Sequence, residues 1–175
     1  MSLSRPEVLE SSVPSVVVVD PRFDAYKPLA ASARLGKLSL HFRASGAEAV
    51  KLARRLHVDA WLIAPDLDDM SGHDLVPLLQ SQLAARGCGD TKLAVVDAAT
   101  PGSRQWNIAE GDAHAAGADS LLSHPITFRD LEDLLGLPTD ERAKIVSAGG
   151  PTRAFVTLPV GVGAAVIAIA VLMMG

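Results

Sequence analysis

"VDAWLIAPDLDDMSGHDL", residues 58–75, decides how the chain is read. Asp59 opens an apolar run, Ala60 to Ala64, too short for a helix and continuous enough for a strand buried on both faces. Pro65 ends the run, because proline cannot donate to a central ladder. Asp66, Asp68 and Asp69 crowd together next, and Met70-Ser71-Gly72 leads into a helix expected from about His73 to Arg86. Carboxylates gathered at the end of a buried strand suit a metal ion, a phosphoryl group or a proton in transit.

The same alternation extends in both directions. "SVVVVD" (15–20) reads as a buried strand ending on an acid, and "LSLHFRAS" (38–45), "KLAVVD" (92–97) and "DSLL" (119–122) supply three more strands. Between them lie segments of helical period: the later part of 22–36, closed by Gly36, then 46–57, 104–117 and 127–136. In 46–57 the apolar residues Ala47, Val50, Leu52 and Leu56 fall mostly on one face, away from Lys51, Arg54 and Arg55. Strands alternating with helices of this length imply right-handed crossovers and a parallel sheet covered on both faces. Five such units fit a flavodoxin-like (βα)5 fold of strand order 2-1-3-4-5.

The expected organisation is an N-terminal tail (1–13), an α/β domain (14–136), a linker rich in Pro, Gly and charge (137–153) and an apolar segment (154–175). That last segment, "AFVTLPVGVGAAVIAIAVLMMG", contains no charged residue. At helical rise it covers about 33 Å, enough for a hydrocarbon core of about 30 Å. It reads as a single-pass C-terminal transmembrane anchor, and Arg142, Lys144 and Arg153 ahead of it place the α/β domain on the cytoplasmic side. Gly161 with Ala165, and Ala164 with Ala168, repeat small residues at a spacing compatible with close helix packing, in a homodimer or against another membrane protein.

The net charge of −4 and the lack of a basic block argue against a nucleic-acid partner. Cys88 is the single cysteine, so no intramolecular disulfide framework exists; with no base or second thiol near it in sequence, it reads as an inert loop residue. A nucleotide site would want a glycine-rich first turn where this chain has "PRFDAY", and a hydrolase would want Gly-x-Ser-x-Gly where it has "DMSGH". No cofactor is expected.

Three stretches in this order resemble the receiver domain of two-component response regulators: "SVVVVD" for the first strand, residues 58–75 for the third strand and its loop, and "AAGADSLLSHPIT" (115–127) for the fifth. The resemblance covers roughly residues 14–136 and implies a site at the carboxyl ends of the strands. There an acid ending the third strand accepts a phosphoryl group, acids of the first strand hold Mg²⁺, and a Thr or Ser and a Lys bind the phosphoryl oxygens.

Against that pattern the chain departs in five places. The acceptor position lies five residues after Asp59 and eight before Gly72, and both counts give Ala64, whose methyl group can neither attack phosphorus nor ligate a metal. Asp20 keeps the first-strand acid, but Pro21 replaces its usual acidic neighbour. The Thr/Ser position falls on Asp97, or on Val96 if the register slips by one; the Lys position is His124, followed by the family's proline as Pro125; the aromatic that reports phosphorylation is Leu121. Together these describe a site that has lost phosphoryl transfer. Asp66 as a substitute acceptor would place Pro65 inside the strand, and Asp66, Asp68 and Asp69 lack the bidentate Glu of a Ca²⁺ loop. A solvated acidic loop that caps the following helix is the plainer expectation.

His41, His57, His73, His114 and His124 show no metal-ligand spacing. The fold brings His124 towards Asp20 and Asp97, where a charge-assisted hydrogen bond is expected. The resulting expectation is no enzyme but a membrane-tethered pseudo-receiver that recruits a protein partner. Trp106, Leu121 and Phe128 are candidate contacts on the surface the family uses. Two rivals remain: an accessory structural subunit of a membrane complex, and a receiver that still binds a metal or phosphoryl group through Asp20 and the Asp66/Asp68/Asp69 loop.

Overall fold

The structure is a computed structural model that describes residues 13–137. Five parallel strands, β1 (Ser15–Val19), β2 (Ser39–Arg43), β3 (Ala60–Ile63), β4 (Lys92–Asp97) and β5 (Ser120–Ser123), form one sheet of order β2-β1-β3-β4-β5. This is the order expected from the sequence. The helices are α1 (Lys27–Arg34), α2 (Gly46–Ala53), α3 (Gly72–Ala85), α4 (Arg104–Ala116) and α5 (Phe128–Leu135).

Side chains that alternate along each strand divide the core in two. Val17, Val19, Trp61, Ile63, Leu93 and Val95 face α2, α3 and α4, whereas Val16, Val18, Ala60, Leu62, Ala94 and Val96 face α1 and α5. The three central strands are thus apolar on both sides, which is why they read as unbroken runs in the sequence.

Three boundaries differ from expectation for local reasons. The segment before α1 is a 3-10 turn, Phe23–Tyr26, and Pro28 sits at the start of α1, where its missing N–H costs nothing. Helix α2 stops at Ala53 instead of His57, and the Arg86 guanidinium takes the carbonyls of Ala53 and Leu56. Its buried face is also turned: Ala49 and Ala53 are inside, Val50, Leu52 and Leu56 flank them, and Ala47 is exposed. The second strand ends at Arg43, two residues early, because Ser45 is committed to capping α2 through the Glu48 amide.

No helix among the described residues is long and apolar enough to cross a membrane. The linker 137–153 beyond Leu137, the apolar segment 154–175 and its small residues Gly161, Ala164, Ala165 and Ala168 lie outside the described residues, as does the N-terminal tail apart from Val13.

Candidate functional site at the carboxyl edge of the sheet

Because the strands are parallel, Asp20, Ala64, Asp97 and His124 arrive at the same edge. Val19 is paired with Ile63, so Asp20 and Ala64 leave the sheet side by side. Asp20 is the one carboxylate among the described residues that is fully buried. Its oxygens accept hydrogen bonds from the Arg22 backbone amide (2.7 Å), the Arg22 Nε (3.2 Å) and the Tyr26 hydroxyl (3.1 Å). A buried carboxylate is tolerated only where it is paired and hydrogen-bonded, and the chain supplies both needs from the turn that follows. The hydrogen bond and charge of Asp20 hold the Arg22 guanidinium firmly protonated. Burial, then the charge of Asp20, pushes the Tyr26 hydroxyl far above its ordinary range.

Arg22 and Tyr26 were not legible as site residues. One signal was present: a cation two residues after an acid at a strand end lies within reach of its carboxylate. Nothing local marks Tyr26, which arrives only once the 3-10 turn has formed.

The Mg²⁺ that receiver domains hold at this edge does not fit these residues. Both Asp20 oxygens are engaged by the chain's own donors, Pro21 offers no carboxylate, and Ala64 presents a fully buried methyl. Among the described residues no group of three or more His, Cys, Asp or Glu side chains is placed to share a metal.

The acidic loop turns away from this pocket. Ala64 donates its amide to the Val19 carbonyl, and Gly72 folds back so closely that a Cβ on it would lie 2.0 Å from the Ala64 carbonyl oxygen. Asp66, Asp68 and Asp69 are exposed. Asp66 contributes only a long-range attraction to Arg22. Asp69 does cap a helix, but the preceding one: its oxygens accept the Gly46 and Ala47 amides at 2.8 and 2.9 Å, which holds its carboxyl below the usual range. Ser71 caps the following helix instead, through the His73 amide. The expected capping of α3 by an acid is corrected accordingly; Ser71 is the residue adjacent to Gly72, so the shorter side chain has the geometry.

His124 also departs from expectation. Its ring packs edge-on against Tyr26, with centroids 5.1 Å apart, and neither ring nitrogen has a hydrogen-bond partner among the described residues. The charge-assisted bond is not made, because Arg22 and Tyr26 occupy Asp20 while an Asp97 oxygen accepts the Ala99 amide at 2.7 Å. Burial therefore wins over the attraction of Asp20 and Asp97, and the imidazole is pushed below its ordinary value. Val96 is buried against α1 and α5, and Asp97, the last residue of β4, is the half-buried one at the edge; Pro125 follows His124 in an exposed position.

The candidate contact residues do not make one surface. Leu121 is 6% exposed and belongs, with the half-buried Trp106, to the core under α2, α3 and α4. Phe128 packs against the other core, with the Lys37 ammonium 5.6 Å from its ring centre. Cys88 is likewise not an isolated loop residue: it is buried, and His57 Nδ1 lies 3.2 Å from its sulfur. Thirty-one positions separate the two, so the contact is not visible in the local sequence.

No family model matches this sequence, and no curated protein does. Solved structures do. A putative response regulator from Chloroflexus aurantiacus J-10-fl superposes with a TM-score of 0.58 at 18% identity, over 70% of this chain and 98% of its own. The chemotaxis response regulator CheY4 of Vibrio cholerae gives 0.58 at 18% identity, over 70% of this chain and 99% of its own. The receiver domain of a sensor histidine kinase from Pseudomonas aeruginosa PAO1, solved with a magnesium ion coordinated in its active site cleft, gives 0.55 at 19% identity, over 70% of this chain and 98% of its own. At these identities the likeness establishes the fold alone: residues 13–137 form a CheY-like receiver fold.

Proposed function

We propose that this chain is a pseudo-receiver, a signalling module that keeps the receiver fold and works without phosphoryl transfer. It recruits a protein partner and is tethered to the cytoplasmic face of a membrane by residues 154–175. The observation that carries this reading is the pairing at the carboxyl edge. Ala64 stands where an acceptor would be, and Arg22 with Tyr26 satisfies the one buried acid, Asp20. A guanidinium supplied by the chain neutralises Asp20 permanently, so the edge has one electrostatic state where a receiver has two. The proposal assigns no catalytic role to any residue.

The test is incubation of the full chain in detergent with Mg²⁺ and acetyl phosphate. The expected result is no covalent phosphoryl adduct by intact-mass measurement and no Mg²⁺-dependent change in tryptophan fluorescence. An adduct that disappears in Asp66→Ala would show that the neighbouring loop acid has taken over, and the reading would be abandoned.

A further inference from the structure

An inert Cys88 is expected only while no base stands near it, and the fold brings one. Cys88 lies in the loop between α3 and β4, and His57 in the loop between α2 and β3. Both therefore stand at the amino edge of the parallel sheet, away from Asp20. His57 Nδ1 is 3.2 Å from the Cys88 sulfur, nearer than the Arg86 carbonyl at 3.7 Å. Two side chains fix the pair. The Arg86 guanidinium donates to the Leu56 carbonyl at 3.0 Å, and the Thr91 hydroxyl donates to the Val58 carbonyl at 3.0 Å. The residues on either side of His57 are thus tied to residues on either side of Cys88. The Cys88 amide completes the frame by donating to the Leu83 carbonyl at 2.9 Å. A thiol and a base held within hydrogen-bonding reach is the arrangement that produces a nucleophilic thiolate.

The two members meet solvent differently. Cys88 is 8% exposed, whereas His57 is exposed and makes no ion pair with a carboxylate among the described residues. With Nδ1 turned to the sulfur, its Nε2 is left to exchange a proton with water. Cys88 borders a cavity of about 230 Å³, lined also by Gln80, Leu83, Ala84, Leu93 and Asp119. A Cβ added to Gly89, the next residue, would meet nothing within 4 Å, so the space beside the loop is open. So little exposed sulfur admits a small oxidant and hinders a bulky disulfide, whose own sulfur must come into line with it. We propose that Cys88 is a peroxide-reactive thiol for which His57 is the base. The thiol proton passes to His57 Nδ1, the thiolate attacks one peroxide oxygen, an S–O bond forms and the O–O bond breaks. The leaving oxygen takes the proton back from the imidazolium and departs as water. Sulfur is oxidised by two electrons to the sulfenic acid as hydrogen peroxide is reduced by two. Cys88 is the single cysteine, so no thiol of the same chain resolves the product, and the reaction is a modification without turnover.

The experiment treats the full, reduced chain in detergent with hydrogen peroxide and dimedone, and follows the sulfenic-acid adduct by intact mass. The same chain unfolded in urea supplies the thiol without its base. Folded Cys88 is expected to react about tenfold faster than the unfolded chain at neutral pH, and Cys88→Ser to give no adduct. His57→Gln, at an exposed position, should keep the fold by circular dichroism and drop to the unfolded rate or below. Its rate should rise with pH only as a free thiol ionises, whereas the parent's should level off at lower pH. A folded rate equal to or below the unfolded one would describe a thiol that burial shelters, and would overturn the proposal. An unchanged rate in His57→Gln would remove the base and overturn it equally. So would faster modification of the folded chain by glutathione disulfide than by peroxide at equal concentration, because the sulfur would then be open to bulky partners.

Discussion

The stretch from Trp61 to Gly72 joins two regions that meet opposite environments. Its first part, ending at Ala64, is fully buried and lies beside Asp20, whose charge is taken up by Arg22 and Tyr26. Its second part carries Asp66, Asp68 and Asp69 into water, where only Asp69 has a fixed task. Counting acids points to the second region as the reactive one. Burial points to the first, because a charge withdrawn from water must be answered by specific partners, and those partners decide what else can bind. The region with one acid is therefore the constrained site, and the region with three is a solvated turn.

Two glycines probe the contrast most strongly. A methyl at position 72 would sit 2.0 Å from the backbone oxygen of Ala64, which cannot move without disturbing β3. A methyl at position 46 would meet the sulfur of Met70 at 2.5 Å, at the far end of a flexible side chain. Gly72→Ala is expected to lower stability by about 3 kcal/mol, and Gly46→Ala to stay within about 1 kcal/mol of the parent chain. Urea midpoints at unchanged slope measure both. Equal losses would mean that the buried region yields as easily as the loop, and the contrast would fail.

The acids themselves give the next largest effect. Asp20→Ala leaves the Tyr26 hydroxyl buried without its acceptor and should cost about 2 kcal/mol, part of which Tyr26→Phe in the same chain should return. Asp69→Ala removes two amide contacts at the start of an exposed helix and should cost about 1 kcal/mol, since solvent screens the rest. The Asp69 contribution has a sign that can be checked. Its carboxyl lies below the ordinary 3.8 when folded, so the stabilisation is present above that value and is lost as pH falls through the folded one. Asp69→Ala should therefore flatten the acid limb of the stability curve.

The order of the sheet was legible because β1, β3 and β4 are apolar on both faces and are separated by helices of ordinary length. Ala64 was picked out by counting from Asp59 and Gly72; in the structure it leaves the sheet beside Asp20, and the Gly72 amide closes the loop on the Pro65 carbonyl at 2.7 Å. What could not be read were contacts set by tertiary placement. Arg86 takes the carbonyl of the last residue of α2 from 33 residues away, His57 meets Cys88 across the strand ends, and Tyr26 reaches Asp20 only through the 3-10 turn. Leu121 was misassigned to a surface for a related reason. It lies on the last strand of the sheet, but the side of that strand it occupies is covered by α4.

His124 offers the finest test of what surrounds the buried acid. Its ring has no hydrogen-bond partner, and burial holds its folded value below the free imidazole's 6.5. Between those two values the unfolded chain binds the extra proton. Stability from this residue is thus full above 6.5 and declines as pH falls to the folded value, with no further loss beneath it. The His124 decline begins at 6.5 and the Asp69 decline only at 3.8, so the two regions should begin to lose stability at separate points of a pH titration. An NMR titration should find the His124 resonance midpoint below that of a free imidazole. Asp20 and Asp97 both favour the protonated ring, Asp20 more strongly, and the Arg22 charge opposes it. Asp97→Ala should therefore lower the midpoint further by a small amount, and Arg22→Gln should raise it. A midpoint at or above the ordinary value would mean that His124 has found an acid in solution and that Arg22 and Tyr26 do not hold Asp20 alone.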